Sequence, residues 1–272
     1  MIVRTWNLNR GNSAPPDRHS YLREMVELIT TGDPDVVCLQ EVPVWALDSI
    51  GEWTAMQAVS SRAARPHLGP LRISAGLGHM LSSLDNGKFS RRFAGRGNVI
   101  LFPAEAKVRS VKAITLNTNV FCEERGAQLG LTPKQMRDWE KERRICQLVQ
   151  YEMPNRRRFI VATLHATFFT RDLRLADAEL NRALSFVDRR AEVEEAIIVA
   201  GDFNITRDQS ETIRYLEGLP PESRWASSGY HVDHVMLRQT AASAARVWAR
   251  EERIHNGVLL SDHYPIEIEI PL

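Results

Sequence analysis

Six short stretches of this sequence place acids, amides or imidazoles beside apolar, strand-forming runs. They are Trp6-Asn7, Leu39-Gln40-Glu41, Leu164-His165, Gly201-Asp202-Phe203-Asn204, Val232-Asp233-His234 and Ser261-Asp262-His263. Such side chains are costly to bury unless they are paired or bound to something. Six of them on separate segments point to one convergent polar pocket. The last stretch is the densest, with Asp262 and His263 side by side ahead of the alternating Ile266-Glu267-Ile268-Glu269-Ile270. Alternation of that kind reads as a half-buried strand. A neighbouring acid and imidazole can bind a metal, hold a nucleophilic water, or simply be solvated. The combined inventory is rich in oxygen: Glu41, Asp202, Asp233 and Asp262, the amides Asn7 and Asn204, and the imidazoles His165 and His263. Carboxylate and amide oxygens suit a hard divalent cation, Mg²⁺ or Mn²⁺. No cysteine belongs to the set, which argues against structural zinc.

These residues need strands to carry them. Strand-like segments recur at Ile2–Asn7, Val36–Gln40, Asn98–Phe102, Cys146–Glu152, Phe159–His165, Ala196–Ala200, Val232–Leu237 and Pro265–Ile270. Helical periodicity marks Tyr21–Thr31, where Leu22, Met25, Val26 and Ile29 share a face. It marks Pro133–Arg144 as well, with Thr132 as N-cap and Pro133 at the first position. Further helices are expected at Arg171–Arg190 and Asp208–Leu216. The stretch from Asp48 to Arg96 has weak periodicity and reads as helix-poor loops and short elements. Strands and helices mix without strict βαβ alternation, so the fold class is α/β or α+β with more than one sheet. No repeat or linker splits the chain, and one domain over residues 1–272 is expected.

Composition is ordinary for a globular protein, with 43% hydrophobic and 25% charged residues. Apolar runs are too short to span a membrane, and no secretory signal is visible. Cys38, Cys122 and Cys146 are odd in number and far apart, so neither a disulfide framework nor a zinc site is expected, and a cytoplasmic setting follows. Net charge is only +1. Yet Lys88, Arg91, Arg92, Arg96, Lys107, Arg109 and Lys112 face Glu105 alone between Asn86 and Lys112, a local excess of +6. That stretch is either a phosphate-meeting surface or a solvated loop.

The ordered motifs Thr5-Trp6-Asn7, Leu39-Gln40-Glu41-Val42, Gly97-Asn98-Val99-Ile100-Leu101, Thr163-Leu164-His165, Gly201-Asp202-Phe203-Asn204, Val232-Asp233-His234-Val235 and Ser261-Asp262-His263-Tyr264-Pro265 resemble the endonuclease/exonuclease/phosphatase superfamily, the fold of deoxyribonuclease I. The resemblance implies a four-layer sandwich, two mixed β-sheets packed face to face with helices outside. It also implies Mg²⁺- or Mn²⁺-dependent cleavage of phosphoesters. By position, it implies Glu41 as principal metal ligand, Asn7 near the metal and Asp262 as a further metal or water ligand. His263 becomes the general base or the phosphate-contacting imidazole, oriented by Asp233. Asp202 aligns the attacking water, Asn204 holds a phosphate oxygen, His165 donates to the phosphate, and Asn98 supports the phosphate site.

Other residues receive structural readings. His234 faces away from Asp233 by strand alternation and is read, like His231, as solvated or sheet-packed. Arg144 is read as a surface ion pair rather than a phosphate clamp, and Trp45, Trp53 and Trp225 as core rather than base-stacking residues. The expected substrate is nucleic acid. Leu8-Asn9-Arg10 after Asn7 and Val42-Pro43 after Glu41 depart from the abasic-site endonuclease pattern. A small-molecule or lipid phosphodiesterase or phosphatase is the other reading, and a catalytically dead binding module the third.

Overall fold

Runs such as Val36-Val37-Cys38-Leu39 and Ile197-Ile198-Val199-Ala200 are apolar on both alternating faces. Only strands covered on both sides tolerate that, and both runs lie inside sheets, fully or nearly fully buried. The computed structural model describes residues 1–17, 19–68, 71–84, 93–168, 172–192, 194–238 and 243–271. In chain order its strands are β1 (Ile2–Asn7), β2 (Val36–Val42), β3 (Gln57–Ala64), β4 (His67–Leu68), β5 (Leu71–Arg72), β6 (Arg96–Phe102), β7 (Lys107–Thr115), β8 (Ile145–Glu152), β9 (Arg158–His165), β10 (Glu195–Asp202), β11 (Trp225–Tyr230), β12 (Asp233–Arg238), β13 (Arg246–Val247), β14 (Ile254–His255), β15 (Val258–Leu259) and β16 (Ile266–Glu269). The helices are α1 (Leu22–Thr30), α2 (Ala75–Leu84), α3 (Asn119–Gln128), α4 (Pro133–Glu140), α5 (Arg174–Asp188) and α6 (Glu211–Glu217).

Two six-stranded mixed sheets result, in the orders β13-β16-β1-β2-β6-β3 and β11-β12-β10-β9-β8-β7. Between them lies an apolar layer including Val3, Cys38, Ile100, Val161, Ile198, Val235 and Ile268. The outer face of the first sheet buries Trp6 and Leu39 against Met25, Val26 and Ile29 of α1. The outer face of the second buries Leu148, Ile160 and Val199 against Leu180, Leu184 and Val187 of α5. The expected layering of helix, sheet, sheet and helix is therefore present. α4 opens with a capping box, Thr132 and Gln135 exchanging bonds, and Pro133 at its start.

The Asp48–Arg96 stretch corrects the expectation of loops. β3 pairs antiparallel with β6 from Gln57↔Phe102 to Ala64↔Arg96, and α2 forms behind it. β3 is the outer strand of its sheet and half-buried along its length, so it lacks the alternation that betrays a strand. The helix expected at Pro133–Arg144 ends at Glu140, and that expected at Arg171–Arg190 runs Arg174–Asp188, with Arg171 outside the described residues. Lys88, Arg91 and Arg92 also lie outside them. Of the rest of the basic stretch, Arg109 pairs with Glu192 and Glu195, and Lys107 and Lys112 stand exposed on β7.

Register delivers the site. Asp202 is opposite His165 on β9 and opposite Asp233 on β12, which sets three site residues in one row across the second sheet. Gly201 makes this row possible. Its φ is +149°, and a Cβ there would stand 2.1 Å from the Leu164 carbonyl oxygen. Gly201→Ala is expected to destabilise the fold by roughly 2–4 kcal/mol, through backbone strain and overpacking together. Denaturant unfolding of the variant, with an unchanged m-value, checks this.

Candidate active site

The two sheets meet at one end through side chains of their last strand residues. Asn7, ending β1, donates from Nδ2 to Asp202 Oδ2 at 2.9 Å. Gln40 Nε2 donates to Thr163 Oγ1 at 3.0 Å just beneath. Asp202 Oδ1 accepts from the Asn204 backbone N–H at 3.0 Å, and Asn204 Nδ2 donates to the Ala166 carbonyl at 2.9 Å. His263 Nδ1 donates to Asp233 Oδ2 at 2.9 Å, while its Nε2 stands 3.8 Å from Asp202 Oδ2. His165 faces the same carboxylate oxygen through Nε2 at 3.5 Å and Glu41 Oε1 through Nδ1 at 3.8 Å. Asn98 is buried on β6, opposite the irregular stretch of β2 that carries Glu41, and its Nδ2 has no partner. Thus Asn7, Glu41, Asn98, His165, Asp202, Asn204, Asp233 and His263 are brought together. Asp262 is exposed and stands outside the group formed by Asp202, Asp233 and His263.

The backbone is strained where this site is assembled. Arg10, Glu41, Asn204 and Ser261 all have φ between 50° and 60°. Non-glycine residues in that region cost of order 1–3 kcal/mol each and persist only where the surroundings hold them. At Glu41 the register between β2 and β6 shifts between Leu39 and Val42, and such irregularities re-aim a side chain next to active sites. At Ser261 the turn is held by its hydroxyl, which donates to the Asn7 carbonyl at 2.7 Å and accepts from the His263 N–H at 3.1 Å. The His263 carbonyl is gripped by Trp6 Nε1 at 3.0 Å and Arg253 Nη1 at 2.8 Å.

The two imidazoles are driven in opposite directions. Burial lowers His263, but the hydrogen bond and charge of Asp233, with Asp202 and Asp262 beyond, overcome it and raise its pKa to about 10. Burial, and then the positive charges of Arg144 and Arg96, hold His165 well below the usual range. His263 is therefore an imidazolium at neutral pH and His165 a neutral ring. Asp202 is pushed above the usual carboxylate range, first by burial and then by the charge of Asp233, with His263 and the Asn7 bond opposing. Groups whose environments push their pKa values apart mark acid and base roles.

The donors fit a hard divalent ion. Glu41 and Asn7 bring a carboxylate and an amide oxygen, and two carboxylates, Asp202 and Asp233, are buried side by side. Asp233 Oδ1 is buried with no partner, an acceptor left open for a ligand. The ligand atoms of Asp202, Asp233 and His263 lie within 4.8 Å of one another. Glu41 is shared with arginines: Oε2 is 2.7 Å from Arg10 and Oε1 is 3.5 Å from Arg96.

Several residues here were not anticipated. Arg144 is 4% exposed and corrects the surface-ion-pair reading. Arg96, named only as part of the basic stretch, is buried, and Arg10 and Arg253 carry no motif of their own, since a lone arginine in a sequence is ordinarily a surface residue. Glu179 on α5 is fully buried, accepting from Trp139 Nε1 at 2.6 Å and from the Thr167 N–H and hydroxyl at 2.7 Å each. It thereby braces the segment that follows His165. The structural readings of His234 and Trp225 agree with the structure. His234 is bonded to the Ile205 carbonyl and stacked on Phe203, and Trp225 is core.

Residues 5–263 match the Endonuclease/Exonuclease/phosphatase family, and the chain belongs to it. This makes it a phosphoester hydrolase of a family that is generally dependent on divalent metals. Its fold is similar to that of an endonuclease/exonuclease/phosphatase from Bacteroides vulgatus (TM-score 0.65, 14% identity, 99% of this chain and 98% of that one). It is similar also to a mannosyl-6-phosphatase from Bacteroides thetaiotaomicron (TM-score 0.65, 12% identity, 100% of both chains). A humanized D. rerio TDP2 aligns with TM-score 0.62 and 15% identity over 100% of this chain and 99% of that one. No curated protein matches the chain in sequence.

Proposed function

We propose that this protein is a Mg²⁺- or Mn²⁺-dependent phosphodiesterase acting on nucleic acid. The observation that carries the chemistry is the row His165–Asp202–Asp233 with His263 closing on it, one imidazole charged and the other neutral. Glu41 and Asn7 would hold the ion. When bound, the ion neutralises non-bridging phosphate oxygens and favours deprotonated water. Asp202, held in place by Asn7 and the Asn204 N–H, takes the proton of the attacking water. Its raised pKa brings it nearer to neutrality, where a general base works best. His263 presents Nε2–H to the phosphate or the leaving oxygen, with Nδ1 held by Asp233. Asn98 Nδ2, His165 and Asn204 serve the phosphate oxygens. Arg10 and Arg96 beside Glu41 add positive charge for a phosphate.

A small phosphomonoester is the second reading. It is favoured by full-length similarity to a mannosyl-6-phosphatase and by the burial of Arg10, Arg96 and Arg144 in the cleft, where they suit a compact dianion. A panel decides: plasmid DNA, single-stranded DNA, RNA, bis-p-nitrophenyl phosphate, sphingomyelin and mannose 6-phosphate, each with Mg²⁺, Mn²⁺ or EDTA. Metal-dependent cleavage of nucleic acid and of the aryl diester is the expected result. Equal turnover in EDTA would sink the mechanism, whereas turnover of the sugar phosphate alone would sink only the nucleic-acid assignment.

A further inference from the structure

Arg96 and Arg144 hold a single solvent-facing carboxylate between them. Glu142 Oε2 accepts from Arg96 Nη2 at 2.7 Å and from Arg144 Nη2 at 2.8 Å. The Glu142 side chain is 60% exposed, against 8% for Arg96 and 4% for Arg144. The cations are thus built into the protein and the anion is not. Arg144 remains charged at neutral pH, since burial and then the nearby charge of Arg96 lower it only to about 10.

Arg96 opens β6, and the loop that presents Arg144 is fixed independently of that carboxylate. Asn117 Nδ2 donates to the carbonyls of Trp139 and Glu142 at 2.8 Å each, and its Oδ1 accepts from the Arg144 N–H at 2.8 Å. Even with Glu142 in place, donors are left over. Arg144 Nε and Nη1 are buried without a partner. Buried polar groups are almost always satisfied, so orphaned donors gathered in one place call for a missing acceptor. The place is beside the catalytic centre, because Arg96 also stands 3.5 Å from Glu41, whose carboxylate faces His165.

We propose that Arg96 and Arg144 form a second anion subsite, occupied by the Glu142 carboxylate when no substrate is bound, and that it receives the phosphate next to the scissile one. One carboxylate oxygen bridging two guanidiniums is a small stand-in for a phosphate, which offers more acceptors and more charge. The proposal rests on the phosphoesterase reading only for which phosphate is cut, and its test needs no turnover.

The test is calorimetric binding in EDTA, comparing thymidine 3′,5′-bisphosphate with thymidine 5′-monophosphate, and fructose 1,6-bisphosphate with fructose 6-phosphate. In the unaltered protein a bisphosphate is expected to bind about tenfold more tightly than its monophosphate. A gain confined to the nucleotide pair assigns the subsite to nucleic acid, and a gain confined to the sugar pair assigns it to small bisphosphates. Glu142→Ala is expected to enlarge the gain and Arg144→Met to abolish it. Glu142 is exposed, so the first variant keeps the test decisive if the second fails to fold. Equal affinities for mono- and bisphosphates in both the unaltered protein and Glu142→Ala would overturn the proposal. A gain indifferent to both substitutions would do the same.

Discussion

His263→Ala is expected to lower kcat by about 10³-fold or more, with far less effect on KM. Positioned acid–base groups contribute on the order of 10²–10⁴. This ring also stands at the centre of the site's electrostatics, bonded to Asp233 through Nδ1 with Nε2 toward Asp202. Its raised pKa defines the role. A ring that stays protonated up to about pH 10 donates a hydrogen bond or a proton, and at neutral pH it has no lone pair to act as base. The alkaline limb of the pH–rate profile should therefore lie well above the 6.5 of an ordinary histidine. Asp233→Asn removes the charge that holds the ring protonated and should draw that limb downward while kcat falls. The same pairing contributes stability that is fully present below the unfolded pKa near 6.5 and is lost as pH rises through about 10. Melting curves across that window should show a loss in the parent protein that shrinks in Asp233→Asn. A limb that stays put in Asp233→Asn, or an active His263→Ala protein, would refute the assignment.

The chemistry of the centre was legible in the sequence because its carriers break a rule: they are polar where a strand should continue. Asn7, Glu41, His165 and Asp202 each stand at the end of an apolar run and Asp233 at the start of one, and the structure gathers all five. Ser261 illustrates the next level down, since its left-handed backbone and its bond to the Asn7 carbonyl follow from tertiary contact alone. The arginines escaped for a different reason. Arg96 and Arg144 look like any surface cation in one dimension, and the backbone of Arg144 is held by Asn117, 27 residues away in sequence. β3 escaped because it lies at a sheet edge with neither face fully covered. Asp262 shows the converse, a motif residue whose neighbours His263 and Ser261 turn inward while it faces solvent.

Glu41→Gln should show the largest effect on the metal. Glu41 sits on strained backbone, φ 54°, at an irregularity of β2, and strain of that kind persists only when the surroundings impose it. Its carboxylate already meets Arg10 at 2.7 Å and Arg96 at 3.5 Å, so a divalent ion must share it with two guanidiniums. Two consequences follow. Turnover should require more Mg²⁺ in Glu41→Gln, with the half-saturating concentration rising at least about tenfold, since outer partners alone already tune affinity by that factor and Glu41 is the proposed ligand itself. Binding to the folded state stabilises it by RT ln(1 + [L]/Kd), so the rise in melting temperature on adding Mn²⁺ should shrink or vanish in the variant. Arg10→Met provides the opposite sign. Removing the competing guanidinium leaves Glu41 with more of its charge for the ion, and the same Mn²⁺ titration should saturate at lower concentration. Unchanged Mn²⁺ stabilisation in Glu41→Gln would place the ion elsewhere, with the Asp202–Asp233–His263 cluster and the unpartnered Asp233 Oδ1 as the alternative.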